Sequence, residues 1–398
     1  MVPEGEANME VMTDRAADAH SPRVRIDLDR DRIVELDALR GLAAVVVVLF
    51  HSSQKRIPCG WAAVDLFFVL SGFLITSIIL RHGSSPGFLK SFYARRALRV
   101  WPIYYALVAV LVVLSPLLAR PTRWAGLPYT LTFTQSLPLY WSTTSTTFSD
   151  YFGHSWTLAV EEQFYLLWPP LVLIAGRKRL PLLALGCLAV SSVLRLRGFN
   201  ITLLGARSDG LALGGLLAAI VYSEGVSHRS KLRHIGLFSV SVLVGLVILI
   251  AVGGFGLLRV LERDIARMSW TILGFNLLWF GVVGLIVLGQ GHRLLAPLRT
   301  ASLQRLGTIS YGLYLYHLVI ILFIRDVFTS LGHPGWPLWR EALTLLICWA
   351  VARLSWRYLE EPVLRFKRFF PYARPATSTP KQSPHTNMGM VANRQNHA

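Results

Sequence analysis

The chain has 398 residues, of which 53% are hydrophobic and only 16% charged, and its mean hydropathy is +0.48. This composition excludes an ordinary soluble domain and predicts a polytopic membrane protein. The net charge of +18 does not indicate a nucleic-acid-binding protein, because Lys and Arg stand in short clusters between apolar runs, where they orient a membrane protein. Cys59, Cys187 and Cys348 form no CxxC or Cys/His pattern, so neither a disulfide framework nor a zinc site is expected.

Apolar runs divide the chain into ten predicted transmembrane helices. A hydrocarbon core about 30 Å thick needs roughly 20 apolar residues of helix. Runs of about that length cover 36–53, 61–80, 100–118, 156–175, 180–195, 209–223, 235–256, 270–289, 306–324 and 341–358. An eleventh run, 127–141, carries two prolines and many hydroxyl groups, which predicts an interfacial or re-entrant segment. The predicted fold class is therefore all-α, a polytopic membrane bundle of about ten helices.

Basic loops orient these helices, because cytoplasmic loops carry the excess of Lys and Arg. The loops 81–99 and 176–179 hold such clusters, whereas the long segment 119–155 contains only two basic residues, Arg120 and Arg123. This distribution predicts that both termini are cytoplasmic. It is not uniform, because several arginines would then lie outside: Arg195, Arg197, Arg207, Arg259, Arg263 and Arg267.

Both ends of the chain differ in composition from the apolar part. Residues 1–35 mix acids and bases and are expected to form a disordered cytoplasmic leader. Residues 36–362 would form the membrane domain. Residues 363–398 begin with a basic stretch and continue with Ser, Thr, Pro, Asn and Gln, which predicts a disordered cytoplasmic tail.

Two ionisable residues lie within the first predicted helix, LDALRGLAAVVVVLFH. Such groups are costly in lipid unless they face a cavity or a partner. Arg40 and His51 are eleven positions apart, which is about 16 Å along the axis and close to three turns, so both point to nearly the same face. Arg40 would lie near the cytoplasmic end and His51 near the outer end. The alternative is that Arg40 snorkels to lipid phosphates and His51 only marks the helix end.

Further charged residues stand at the ends of later helices. Arg95, Arg96 and Arg99 cluster at the cytoplasmic end of the third helix, where guanidinium groups suit phosphates, although positive charge there also determines topology. Asp65, in AAVDLFFVLSGFLI, lies just inside the outer boundary of the second helix. The alternative to a functional role for Asp65 is a solvated acid at the helix N-terminus, where a negative charge suits the helix dipole.

The segment HSWTLAVEEQFYLLWPP contains two adjacent carboxylates, Glu161 and Glu162. They cannot face the same way on a helix, and Tyr165 follows Glu161 by four residues on its face. One glutamate is therefore expected to be buried with Tyr165 and the other to lie nearer the headgroups. A carboxylate within reach of His51 would orient the imidazole and stabilise its charged form.

Two weaker candidates follow. Arg207 and Asp209, in ARSDGLALGG, are expected to form an ion pair, while Gly210, Gly214 and Gly215 permit close helix packing. His317, in SYGLYLYHLVI, is as well explained by packing as by function.

Taken together, these residues resemble acyltransferase family 3, a family of integral-membrane acyltransferases. The matching pieces occur in order over about 36–362. They are LDALRGLAAVVVVLFH, VDLFFVLSGFLI, RRALR with WPIYY, SWTLAVEEQFYLLWP, RSDGLALGG, ISYGLYLYH and YLEEP.

The resemblance implies O-acylation, usually acetylation, of a carbohydrate or related hydroxyl, with acyl-CoA as the donor on the cytoplasmic side and no metal. It matches the family's Arg-x10-His motif to Arg40 and His51. It also matches Arg-x-x-Arg to Arg96 and Arg99, and Glu-x3-Tyr to Glu161 and Tyr165. Acceptors in the family include surface polysaccharide, lipopolysaccharide and macrolide-type products.

The residues and the resemblance lead to one hypothesis. Arg95, Arg96 and Arg99 would hold the phosphates of acyl-CoA, and the pantetheine arm would extend past Arg40. The imidazole of His51 would act as a general base or as a nucleophile, oriented by Glu161, with Tyr165 donating to the oxyanion. The expected location is the inner (plasma) membrane, with the bilayer and a carbohydrate or macrolide-type acceptor as partners. A homo-oligomer is left open.

Two other classes of protein are compatible with these charges. A transporter or flippase for a lipid-linked sugar would also need buried charges and a basic cytoplasmic mouth. It should move solute without an acyl donor. A non-catalytic scaffold would tolerate replacement of His51 and Glu161.

Overall fold

A computed structural model describes residues 33–53, 57–120, 122–137, 148–222, 228–253, 264–333, 335 and 337–372. Regular structure in these ranges is helical, and the only β pairing in them is an isolated bridge between Thr122 and Ser149. The all-α prediction is therefore confirmed. Of the predicted disordered leader only residues 33–35 are described, and Val34 and Glu35 already belong to a helix; of the predicted tail 363–398 only residues 363–372 are described, and they include the short helical turn Arg365–Phe369.

Ten helices of eight or more residues are numbered here in chain order. They are α1 (Val34–Ser52), α2 (Ala63–His82), α3 (Phe88–Leu114), α4 (Trp156–Leu196), α5 (Leu204–Tyr222), α6 (His228–Ala251), α7 (Ile265–Leu288), α8 (Ala301–Thr308), α9 (Ser310–Ser330) and α10 (Leu338–Ser355). In the described ranges, eight helical segments are long and apolar enough to cross a membrane. The polytopic helical architecture agrees with the prediction.

The difference between eight and ten has two sources. Helix α1 is long enough, but Glu35, Asp37 and Arg40 make it more charged than an ordinary span. The predicted helices 156–175 and 180–195 both fall within α4, which is continuous except at Gly176. The eleventh run is described only as far as residue 137, where it contains a short helix, Leu127–Leu131.

Helix α4 changes direction at Gly176, whose φ of 70° is a left-handed conformation that glycine adopts readily. Just after this point, Arg177 donates to the carbonyl of Leu80, near the C-terminal end of α2. Arg195, near the end of α4, contacts Ala206 and Asp209 at the start of α5, and Arg207 of that same part of α5 pairs with Asp65 at the opposite end of α2. The two halves of α4 therefore run in opposite directions, as the two predicted helices do.

Helices α2 and α5 approach each other closely because both lack side chains at the crossing. A Cβ on Gly72 would collide with the carbonyl oxygen of Leu211, and one on Gly214 with that of Val69. The prediction of close packing at the glycines of α5 is confirmed. This crossing fixes α2 against α5, and α2 contributes side chains to both of the cavities described below.

The segment between α3 and α4 is fixed to α9 by a polar cluster. Arg120 forms a bidentate pair with Asp326, with nitrogen–oxygen distances of 3.0 and 2.9 Å, and Tyr151 donates to the same carboxylate. The hydrogen bond to Asp326 raises the pKa of Arg120. The cluster holds the start of α4 against α9, the two helices that carry Thr157 and Tyr314.

Candidate active site

A first cavity, called here the arginine cavity, lies between α1, α2, α3, α4 and α9. Its empty volume is about 760 Å³, including the part open to solvent. Five of the predicted site residues line it: Arg40, Arg96, Arg99, Glu161 and Tyr165. The structure therefore brings together residues that lie as much as 125 positions apart in the sequence (40 and 165).

Glu161 is held inside the arginine cavity by a short chain of hydrogen bonds. The hydroxyl of Ser71 donates to Glu161 Oε1 at 2.7 Å, and the hydroxyl of Tyr165 donates to Ser71 Oγ at 3.0 Å. Arg96 lies over the ring of Tyr165, 5.0 Å from its centroid. Glu162 points elsewhere and accepts from Trp101 Nε1 at 3.1 Å. As predicted, the two glutamates have separate environments, and Glu161 is the one beside Tyr165.

Arg95 differs from the other two arginines of its cluster. It does not line the cavity, and its guanidinium donates to the carbonyls of Lys367 and Phe370 at 3.3 and 3.1 Å. Arg95 therefore binds the C-terminal segment. Arg96 and Arg99 line the arginine cavity.

A second cavity, called here the histidine cavity, lies beside the C-terminal end of α1 and the N-terminal end of α2. Its empty volume is about 2700 Å³, including the part open to solvent. His51 and His154 line it, and so do polar and aromatic side chains that include Arg195, Asn200, Arg207, Trp61, Trp156 and Phe199.

Three histidines meet beside this cavity. The ring of His317 lies 4.8 Å from that of His51 and 4.7 Å from that of His154, measured between centroids. His51 Nδ1 is 3.0 Å from the carbonyl oxygen of Val47 and 3.3 Å from His317 Nε2. His317 is fully buried, and its Nδ1 is 2.5 Å from the carbonyl oxygen of Tyr314.

The expectation that Glu161 orients His51 is not met. Glu161 is hydrogen-bonded within the arginine cavity, and the side chain at hydrogen-bonding distance from the His51 ring is that of His317. Sequence spacing placed both residues near the outer level, but the depth of a side chain also depends on how each helix tilts and slides against its neighbours. Glu161 and His51, which were expected to act as one hydrogen-bonded pair, thus lie in different cavities.

The predicted ion pair within α5 is also corrected. Arg207 pairs with Asp65 at 2.9 Å, and Asp209 pairs with Arg195 at 2.7 Å. Residues two apart on a helix point in different directions, so Arg207 and Asp209 reach different neighbours. Asp65 is fully buried and is not a solvated helix end.

The two cavities meet at three residues. Val64, Thr157 and Tyr314 line both of them, and the hydroxyl groups of Thr157 and Tyr314 are hydrogen-bonded to each other. Both side chains are almost completely buried. A hydrogen-bonded pair of neutral side chains therefore separates the arginines and Glu161 from His51.

Sequence reasoning missed His154 and Ser71 and gave His317 no preferred role. Ser71 carried no charge that would single it out in an apolar run. His154 directly precedes a predicted helix at the level of His51, which was a usable signal. Within the described ranges, no group of three or more His, Cys, Asp or Glu side chains is arranged to hold a metal ion.

Fold and site define a polytopic helical protein with an arginine-lined cavity and a histidine-lined cavity that adjoin inside one bundle. A family model described as "Acyltransferase domain" matches residues 33–353, and the chain belongs to this family, acyltransferase family 3. The family suggested by the sequence motifs is thereby confirmed.

Relatives with described activities share the greater part of the chain. A peptidoglycan O-acetyltransferase of Listeria monocytogenes is 26% identical over 84% of this chain and 56% of its own length. A putative peptidoglycan O-acetyltransferase of Bacillus subtilis is 28% identical over 82% and 54%. An O-acetyltransferase of Staphylococcus aureus is 27% identical over 84% and 58%. The chain thus spans a little over half the length of these relatives. No solved structure matches it.

Proposed function

We propose that this chain is a membrane O-acyltransferase that moves an acyl group, in the first instance acetyl, from acyl-CoA to a hydroxyl of a carbohydrate-containing acceptor. The observation that carries the proposal is the adjacency of the two cavities at Thr157 and Tyr314. One cavity has the charge to hold a phosphorylated donor, and the other has the imidazole that acyl transfer needs.

The arginine cavity is the proposed donor site. Guanidinium groups bind phosphates through paired, charge-assisted hydrogen bonds, which suits Arg96 and Arg99 in its lining. Arg40 and Arg96 also lie close enough to Glu161 to interact with its charge. Glu161 and Tyr165 would then orient the donor through Ser71 and Arg96, rather than acting on His51. Arg95 is left out of the donor site because it binds the C-terminal segment.

His51 is the proposed catalytic base or nucleophile. As a base, it takes the proton of the acceptor hydroxyl while the hydroxyl oxygen attacks the thioester carbonyl carbon. The carbon–sulfur bond then breaks, and the CoA thiolate receives the proton from the imidazolium. As a nucleophile, His51 would first carry the acyl group on a ring nitrogen, and CoA would leave before the acceptor binds.

The histidine cavity is the proposed acceptor site. Its aromatic side chains offer flat apolar faces for sugar rings, and Asn200 offers both a donor and an acceptor for hydroxyl groups. The names of two relatives make peptidoglycan the first acceptor to test. Because CoA esters are cytoplasmic, the arginine cavity would open to the cytoplasm. Both chain termini would lie on that same side of the plasma membrane.

The test is CoA release by the purified 398-residue chain in nanodiscs, given acetyl-CoA with and without muropeptides. We expect acceptor-dependent release together with an O-acetylated product, and loss of both in His51→Ala. His333→Ala, at an exposed histidine after α9, is the matched control and should behave as wild type. Undiminished release in His51→Ala would overturn the role of His51. Solute movement without consumption of acetyl-CoA would favour a transporter.

A further inference from the structure

His317 lies behind His51 and does not line either cavity. His317 is on α9 and is fully buried. His51 is on α1 and is partly exposed to the histidine cavity. Its ring nitrogens have two different neighbours, the carbonyl of Tyr314 on one side and His51 on the other. A buried imidazole that bridges a backbone carbonyl and another histidine is well placed to fix that histidine.

The neighbours of each nitrogen determine which one carries the proton. A carbonyl oxygen only accepts hydrogen bonds, so His317 must donate to Tyr314 from Nδ1. Neutral His317 then has its lone pair on Nε2, facing His51. His51 Nδ1 therefore faces two acceptors, the carbonyl of Val47 and His317 Nε2, and must carry a proton itself.

The consequence concerns the reacting atom of His51. With its proton on Nδ1, neutral His51 has its lone pair on Nε2, the nitrogen that makes neither of these two contacts. We propose that His317 is a positioning residue for acyl transfer, which together with the Val47 carbonyl fixes the tautomer and the ring direction of His51 so that Nε2 takes part in the chemistry. This inference rests on the proposed function, since it assigns a role within the same reaction.

Proton transfer follows the general-base mechanism proposed for His51. The acceptor hydroxyl loses its proton to His51 Nε2, and both nitrogens of His51 are then protonated. His317 Nε2 and the Val47 carbonyl continue to accept from Nδ1, so they stabilise the imidazolium until the CoA thiolate takes the proton from Nε2. A neutral imidazole thereby orients the catalytic histidine, as an aspartate carboxylate does in Ser-His-Asp enzymes.

Two amide variants separate positioning from packing. In His317→Gln the amide reaches the place of Nε2 and can accept from His51. In His317→Asn the shorter amide can donate to the Tyr314 carbonyl but does not reach His51. We expect Asn to lower kcat on the order of 100-fold with the KM for acetyl-CoA unchanged, because the donor binds in the other cavity. Gln should restore most of the lost kcat.

A second measurement does not depend on activity. Diethyl pyrocarbonate acylates unprotonated imidazole nitrogens, and mass spectrometry reports the rate at each histidine. Labelling of His51 should be slower in His317→Asn than in wild type or His317→Gln, while His333 serves as the internal control. Equal kcat in the Asn and Gln variants, with equal labelling of His51, would overturn the inference. If wild type releases no CoA yet labelling follows the expected order, the proposed function fails and the positioning of His51 stands.

Discussion

Arg96 and Arg95 are adjacent in sequence but have different surroundings. Arg96 lines the arginine cavity, whereas Arg95 donates to carbonyls of the C-terminal segment. Arg96→Gln should raise the KM for acetyl-CoA about tenfold or more, since a hydrogen bond to a charged group contributes about 1.5–3 kcal/mol. Arg95→Gln is the matched control and should change this KM much less. Steady-state kinetics with varied acetyl-CoA measure both, and equal effects would contradict the assignment of the donor site.

Glu161 tests whether the two cavities have separate tasks. In Glu161→Gln the amide still accepts from Ser71, but the charge that interacts with Arg40 and Arg96 is lost. We expect slower acetyl transfer, because the arginines lose their counter-charge, and an unchanged rate of diethyl pyrocarbonate labelling at His51. A large change in that labelling rate would restore the original expectation that Glu161 orients His51.

Residue types were easier to predict than their contacts. The sequence motifs identified Arg40, Arg96, Arg99, Glu161 and Tyr165, and all five line one cavity. Their spacing along single helices did not determine which helix faces which. Ion-pair partners and the neighbour of His51 depend on that arrangement, so a carboxylate was expected where a second histidine lies.

At the scale of helices, the crossing of α2 and α5 depends on the absence of a side chain at Gly214. Gly214→Ala places a methyl group against the backbone of α2 at Val69, so we expect a lower unfolding temperature and less folded protein. Gly186→Ala in α4 meets open space and is the matched control. It should be neutral or slightly stabilising, because alanine favours a helix. Thermal unfolding in detergent distinguishes the two.

The same helices are joined by a buried ion pair between Asp65 and Arg207. Removing one partner leaves an uncompensated charge, so Asp65→Ala should cost about 3–5 kcal/mol of stability. The double variant Asp65→Leu with Arg207→Met removes both charges and should recover much of that loss. Unfolding in a denaturing detergent measures this, and a double variant less stable than the single one would contradict the pairing.

Helix positions were predictable because apolar length is a local property of the sequence. All ten predicted runs coincide with helix in the described residues, apart from their ends. The left-handed turn at Gly176 separates the two halves of α4, which correspond to the predicted helices 156–175 and 180–195. Which segments cross the membrane is a separate question, because α1 combines adequate length with three charges in its first two turns.

At the scale of the whole molecule, the two ends of the second half of α4 should lie on opposite sides of the membrane. In a variant without the three native cysteines, Asn200→Cys just beyond α4 should react with an impermeant maleimide in intact cells. Lys178→Cys, next to the turn at Gly176, should react only after permeabilisation. The reverse pattern would contradict a cytoplasmic arginine cavity.

In the mechanism proposed above, the acyl group passes from the arginine cavity to the histidine cavity, past Thr157 and Tyr314. The most direct measurement uses proteoliposomes with radiolabelled acetyl-CoA on one side only and muropeptides on the other. We predict O-acetylated muropeptides on the side opposite the donor, and none with His51→Ala. Product formed only when donor and acceptor share one side would contradict the claim.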